Sequence, residues 1–392
     1  MPATHRHYAV FYFCFYAVLG AYTPYVARFV DHLGFSGMVA GGMLGIWYAS
    51  RIVAPPLWSR AVARSAAPGH WLLAGCALSG VAFALFGAVH TVPQLFIAML
   101  CFGFFYNAVM PQFEAMTLTA LADAPERYGR LRVWGSVGFL VVAGTYGALL
   151  DRYGEQWFVY ASLPWFILMT WAAWPHRTQL PARTLSHAAA PALALLWRRS
   201  GVRPLLLLAM LTQAGFGAFY VFYTLHMQAN GHSGAAIGAL WALGVLVEIA
   251  LFWQAPGLIR RYGVQSLMIL CLAVTVLRWF ATALLAQSLP IMFIAQATHA
   301  LGFALFHACL MQRMAGLFSA HEASAGQGLL YGFSSGFGGV LGALLAAALW
   351  EWKGGPAAFL GGAVITLAAL AWLLGPARHP RSTPGRGTGA GI

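Results

Sequence analysis

The sequence predicts an all-α integral membrane protein with twelve transmembrane helices in two parallel, pseudo-symmetric six-helix halves. Composition is the first reason. A chain of 392 residues that is 60% hydrophobic and 8% charged cannot cover itself with a soluble surface. Its 44 glycines suit a lipid-embedded bundle, where small residues let helix backbones approach closely. Charge distribution is the second reason. With a cytoplasmic N-terminus, 17 of the 22 Lys and Arg fall in cytoplasmic segments, three fall opposite and two lie within spans. That positive-inside bias requires an even number of spans and puts both termini in the cytoplasm. The third reason is an internal repeat headed by Ser36-Gly37 and Ser233-Gly234. The net charge of +13 follows from this topology and marks no nucleic-acid surface.

The first half, residues 1–175, holds spans near 8–29, 37–57, 70–89, 94–121, 129–150 and 156–174. Most come close to the ~20 apolar residues that cross a bilayer. The first lacks a small-x-small cleavage site and reads as a retained span, not a signal peptide. Residues 176–203 form a cytoplasmic linker carrying Arg177, Arg183, Arg198, Arg199 and Arg203. Its apolar-basic piece from Ala192 to Arg199 suits the membrane face. The second half, residues 204–375, holds spans near 203–228, 235–256, 264–286, 290–312, 326–350 and 356–374. Residues 376–392 are Pro, Gly and Arg with little to bury, a composition that predicts a disordered cytoplasmic tail. The five cysteines all fall in spans without a CxxC pair, so they read as packing thiols. No metal or cofactor is predicted.

The halves align without a gap at an offset of 197 residues. Gly20-Ala21-Tyr22 maps onto Gly217-Ala218-Phe219, Gly34 onto Gly231, Ser36-Gly37 onto Ser233-Gly234, and Gly41 onto Gly238. The same register maps Arg51 onto Glu248, a charge inside a span in each half. Six spans per half make the repeats parallel. That is the arrangement of major facilitator transporters, whose substrate site lies between the halves near the midplane.

One run is more specific. Tyr128-Gly129-Arg130-Leu131-Arg132-Val133-Trp134-Gly135-Ser136 resembles the start of span five in the 3-phenylpropionate transporter family. That family is a branch of the major facilitator superfamily related to the sugar/proton symporters. The segments Leu240 to Glu248, Leu277-Arg278-Trp279 and His299 to His307 are similar to it as well. The resemblance implies proton-coupled uptake of aromatic acids. The chain departs from the wider superfamily after span two, where Pro56 to Arg64 lacks the acidic residue of a Gly-x-x-x-Asp-Arg loop. Leu150-Asp151-Arg152-Tyr153-Gly154 imitates that pattern but sits on the opposite side, after span five.

Charges at bilayer depth cost at least roughly 2.5–3.5 kcal/mol by insertion scales, so each needs a reason. At ~1.5 Å per residue, Glu248 and His307 lie at one depth and Arg278 and His299 at another. Glu248 and His307 are therefore the candidates for proton coupling. Arg278 suits a fixed grip on a substrate carboxylate, or on Glu248 when the site is empty. His299, Trp241, Tyr22 and Asn107 are further candidates for contacting substrate, the aromatics by stacking. The competing roles are a structural Glu248–Arg278 pair and histidines bonded to helix carbonyls. Arg51 and Glu114 form a candidate gate pair, with snorkelling of Arg51 to the interface as the alternative. His226 and His232 lie near the outer loop and read as solvated.

These residues predict a secondary transporter, with proton-coupled uptake of a small, aromatic organic acid such as 3-phenylpropionate leading. A sugar or nucleoside symporter and an exporter of hydrophobic compounds are alternatives. An intramembrane enzyme is disfavoured by the lack of HExxH or paired Asp residues, and a sensor by the lack of an appended soluble domain. The expected partners are a small-molecule substrate, protons and the lipid of a bacterial-type cytoplasmic (inner) membrane. The protein is expected to be monomeric.

Overall fold

The computed structural model describes residues 3–122, 124, 127–178, 193–319 and 322–375, and every regular element among them is helical. Arg183, Ala192 and the predicted tail lie outside the described residues. Before the linker come α1 (Ala3–Tyr22), α2 (Val26–His32), α3 (Gly37–Ala63), α4 (Pro68–Ala84), α5 (Val92–Ala120), α6 (Tyr128–Tyr153) and α7 (Phe158–Ala173). The linker carries α8 (Leu193–Arg198). After it come α9 (Val202–Gly215), α10 (Gly217–Ala229), α11 (Gly234–Tyr262), α12 (Val264–Leu284) and α13 (Leu289–Ala297). The chain ends in α14 (Phe306–Leu317), α15 (Ala323–Tyr331) and α16 (Gly339–Leu374).

Nine helical stretches among the described residues are long and apolar enough to cross a membrane. Helices satisfy their own backbone hydrogen bonds, the condition for residence in hydrocarbon. Arg51 lowers the apolarity of α3, and α7 has only 16 residues. The stretch Ala325–Leu374 runs for 50 residues as one unit. Within it, non-helical backbone at Lys353 (φ −145°, ψ 25°) and Gly354 (φ 71°, ψ −161°) makes a sharp break. Two further irregularities are π-helical turns at Leu301–Leu305 and Gly332–Gly338.

The repeat is visible in the backbone. Gly34 and Gly231 both take a left-handed φ, 77° and 84°, in the turn before the second helix of each repeat. Ser36 then accepts from the Val39 N–H and Ser233 from the Ala236 N–H, so the same N-cap starts α3 and α11. α3 packs against α16 and α6 against α11, joining segments from the two sides of the linker.

At the end of the bundle where α3 and α11 begin, both sides of the linker share one buried core that includes Phe29, Ala143, Phe222, Ile237 and Ala347. At the other end the C-terminal segments keep a core of their own, with Leu206, Met268, Leu310 and Leu373. The molecule is closed at the first end and divided at the second. His226 and His232 help seal the closed end. His226 is buried and donates from Nε2 to the Thr282 carbonyl at 2.8 Å, and His232 contacts the Ala286 carbonyl at 2.6 Å. Their expected solvation is corrected: α10 packs against α16, and the two rings reach carbonyls in the last turn of α12 and just beyond it.

At the divided end, α8 is anchored. Arg199 makes a two-pronged pair with Glu322, at 2.6 and 2.9 Å, and also donates to the Leu317 carbonyl. Trp197 lies 4.7 Å from Phe333, ring to ring. The hydrogen bond from Arg199 holds the Glu322 carboxyl down at about 2.

A Cβ at Gly138 would overlap the Phe13 carbonyl where α6 crosses α1. Gly138→Val should therefore destabilise the detergent-solubilised protein by about 1–3 kcal/mol, read as a lowered Tm; an unchanged Tm contradicts this packing. The Glu322 carboxyl titrates below its ordinary value near 4.5, so its anchoring is intact above that pH and fades as pH falls toward about 2. Glu322→Gln should accordingly raise tryptic cleavage after Arg198 and Arg199 at neutral pH, and resistance equal to the parent protein would contradict the anchor.

Candidate functional site

Four charged side chains keep accessible surface in the interior between the divided cores: Arg51, Glu114, Arg132 and Glu248. Their depth follows from helix register. α6 and α11 run antiparallel, with Gly147 against Gly234 and Gly144 against Gly238. Arg132 lies twelve residues from Gly144 and Glu248 ten from Gly238, so both sit roughly 15–18 Å from that contact. Tyr220 on α10 packs against Phe216 and Phe219, two of the rings that face Arg278.

On the N-terminal wall, Glu114 of α5 pairs with Arg132 of α6 at 3.6 Å and accepts from the Tyr128 hydroxyl at 3.3 Å. Arg132 also donates to the Tyr16 hydroxyl and lies over the Tyr16 ring at 4.2 Å. The expected Arg51–Glu114 pair is therefore corrected. Arg51 instead lies over the rings of Trp47 and Tyr48, 5.4 and 5.3 Å from their centroids, and remains exposed. The helix bearing Arg51 packs directly on α5, so it is the direction of the Arg51 side chain, turned toward rings of its own helix, that leaves Glu114 to Arg132.

Arg278 occupies a different environment on the C-terminal side. Only 3% exposed, its guanidinium lies 4.4 Å from the Phe219 ring centroid and 4.3 Å from that of Trp279. Nη2 donates to Gln296 Oε1 at 3.1 Å. Among the described residues no carboxylate pairs with it, and Arg278 Nη1, Gln296 Nε2 and His299 Nδ1 have no hydrogen-bond partner. The His299 ring packs 5.0 Å from Phe219 and stacks on Phe303. Cation–π contacts offset part of the cost of burying this charge, but a guanidinium without an anion remains strongly disfavoured.

Gln296 connects this cluster to α11. Its Nε2 lies where a side chain at Gly244 would project, and Glu248 is one turn further along the same face. No hydrogen bond or ion pair joins Glu248 to Arg278 or to His307 among the described residues. His307 is half-buried on α14.

Three expected substrate contacts are engaged elsewhere. Tyr22 is fully buried, its hydroxyl donating to Met99 Sδ and its ring packed on Trp47 and Phe102. Trp241 donates to Thr224 Oγ1 and packs 4.7 Å from Phe219. Asn107 donates to Ser50 Oγ at 2.8 Å and to the Trp47 carbonyl, tying α5 to α3. Gln112 is held likewise by Trp58 and the Pro68 carbonyl.

Sequence reasoning missed Arg132, Gln296, Tyr220 and Phe219 as site residues. Arg132 was legible: it lies inside a span that begins near residue 129, yet it counted as a loop cation. Phe219 is the repeat counterpart of Tyr22, and Phe219 is the one that holds the charge. No group of three metal-ligating side chains occurs among the described residues.

The comparisons with known proteins agree with this architecture. The model of the MFS_1 like family matches residues 5–361. The chain is 26% identical over 319 residues to the probable 3-phenylpropionic acid transporter of Escherichia coli, covering 79% of this chain and 82% of that protein. It is also 26% identical over 286 residues to the maltose permease of Geobacillus stearothermophilus, covering 70% of each. Among solved structures, the nucleoside transporter NupG superposes with a TM-score of 0.82 at 14% identity, covering 95% of this chain and all of that one. The human organic anion transporter MFSD10 superposes at 0.62, also at 14% identity, covering 95% of this chain and 100% of that one. These relatives and structural neighbours are transporters, not enzymes. The chain belongs to the MFS_1 like family and is a multi-pass membrane transporter of the major facilitator superfamily.

Proposed function

We propose that the protein takes up a small aromatic organic acid, such as 3-phenylpropionate, together with a proton by alternating access. The observation that carries this reading is the buried Arg278 guanidinium, flanked by Phe219 and Trp279 and lacking an anion. A carboxylate supplies the missing charge and the rings accept an aromatic body. His299 and Gln296 present further polar atoms to the same ligand. Glu248 then carries the coupling proton, because an anion arriving nearby favours its neutral form and leaves the loaded site with little net charge. His307 serves as a second proton acceptor. Arg51 gates the divided end, and the Glu114–Arg132 pair lines the approach. Trp241, Tyr22 and Asn107 act behind the site by fixing the helices that bear it.

Twelve spans in two six-helix halves, residues 1–175 and 204–375 with a linker at 176–203, fit this function. What supports that count is the nine apolar stretches, with α3, α7 and the break of Ala325–Leu374 at Gly354 read as the remaining three. The loop arginines support an orientation with both termini in the cytoplasm of a bacterial-type inner membrane, in which the divided end faces inward. A second reading, a symporter for a nucleoside or sugar, is favoured by the hydroxyls of Tyr16 and Tyr128 around Glu114–Arg132.

Uptake by reconstituted proteoliposomes, with and without an imposed pH gradient, separates the readings. Phenylpropionate or benzoate should accumulate with inward proton flow, whereas uptake of only a nucleoside or disaccharide would overturn the anion assignment. Glu248→Gln should abolish gradient-driven accumulation and spare exchange; undiminished accumulation would sink the coupling role. Gln296→Leu should cost about 1.5–3 kcal/mol of stability by stripping an acceptor from a buried cation. In an Arg278→Met background most of that loss should vanish, and an equal loss in both backgrounds would contradict the pairing.

A further inference from the structure

The closed end carries a pair of contacts that substrate binding does not explain. Asp151, at the end of α6, accepts from the backbone N–H of Gly234, the first residue of α11, at 2.5 Å. Glu351, just before the break in α16, accepts from the backbone N–H of Met38 in the first turn of α3, at 3.1 Å. The two helix starts are repeat counterparts, Ser36-Gly37 and Ser233-Gly234, each already capped by its own serine. The two carboxylates are 200 residues apart, close to the repeat offset. Each acid comes from one side of the linker and caps a helix from the other.

We infer that Asp151 and Glu351 are paired gate residues, holding the closed end shut by placing a carboxylate on the opposing helix N-terminus. The first turn of a helix has N–H groups without intrahelical partners and a partial positive charge, so an anion there is favoured twice. Both contacts cross the interface that must separate when this end opens. Both are reversible, because water can replace the carboxylate on the helix end and hydrate the released acid. The inference rests on alternating access and not on the identity of the substrate.

The two contacts are not equal. Asp151 is held by Arg28, which is 4% exposed and bonds Asp151 Oδ1 at 3.0 Å while also gripping Glu155. Burial pushes the Glu155 carboxyl up, and the Arg28 guanidinium opposes that. Close approach also favours the Asp151 contact: a Cβ at Gly147 or Gly234 would run into the other's carbonyl. Glu351 reaches Met38 next to the break at Lys353 and Gly354, and no ion pair holds it among the described residues. The Leu150-Asp151-Arg152-Tyr153-Gly154 run, anomalous for its side of the membrane, thereby acquires a role. Its acid engages a helix end across the gate.

The test measures the gate itself. Nitroxides are placed at Gln156→Cys and Gln228→Cys, both exposed at the closed end on opposite sides of the linker, with the five native cysteines replaced by alanine. Pulsed dipolar distances are recorded in lipid nanodiscs without added substrate. Asp151→Asn and Glu351→Gln each keep an accepting oxygen but remove the charge. Each should raise the ratio of long to short distances by about threefold to tenfold, Asp151→Asn more strongly, and the double variant further. Asp151→Glu should restore most of the short population. Identical distributions in all variants would overturn the inference, as would an equal shift from Arg152→Gln, a nearby charge outside both contacts. If the double variant does not fold, the two single variants decide by the same criterion.

Discussion

Hydrocarbon offers neither a hydrogen bond nor a counter-charge, and that constraint sorts the polar groups of this chain. Backbone groups pair within helices, and charged side chains turn inward or find a helix end. The result is economical in charge: with 8% charged residues, those in the interior can be followed one by one. Glu114 takes Arg132, Asp151 and Glu155 take Arg28, and Glu322 takes Arg199. Arg51 and Glu248, which keep accessible surface, have no ion-pair partner among the described residues. Arg278 is the exception in lacking one while buried: its contacts are the rings of Phe216, Phe219 and Trp279 and one amide.

That exception and the shape of the core explain each other. At the closed end, small residues bring α6 against α11 and α3 against α16, and one core spans the linker. At the divided end the cores separate, and the accessible charges stand on the two walls. Arg278 and Gln296 lie behind the C-terminal wall, with Glu248 one turn from the Gly244 contact. A ligand that neutralises Arg278 therefore also changes the electrostatics of the group proposed to carry the proton. Binding and coupling need no longer pathway than one amide and one helical turn.

Much of this was legible in the sequence, and the misses have physical causes. Apolar length and loop arginines located the helices, and the 197-residue offset identified matching caps at Ser36 and Ser233. The π-helical turns at Leu301–Leu305 and Gly332–Gly338 were not legible, because π backbone is set by packing and has no periodic signature. Residue number sets position along a helix, but azimuth is not legible in it. Trp241 and Tyr22 consequently turned out to pack inward, and Glu114 to pair with Arg132 instead of Arg51. His226 and His232 looked like loop residues because carbonyls that need a donor cannot be seen in sequence.

The central claim is that the buried Arg278 charge is completed by a substrate carboxylate. It is tested most directly by comparing the binding of 3-phenylpropionate with that of its uncharged amide, using tryptophan fluorescence of the purified protein. The account predicts that the acid binds, the amide does not, and Arg278→Gln erases the difference. Equal binding of acid and amide, or an acid preference that survives Arg278→Gln, would contradict it.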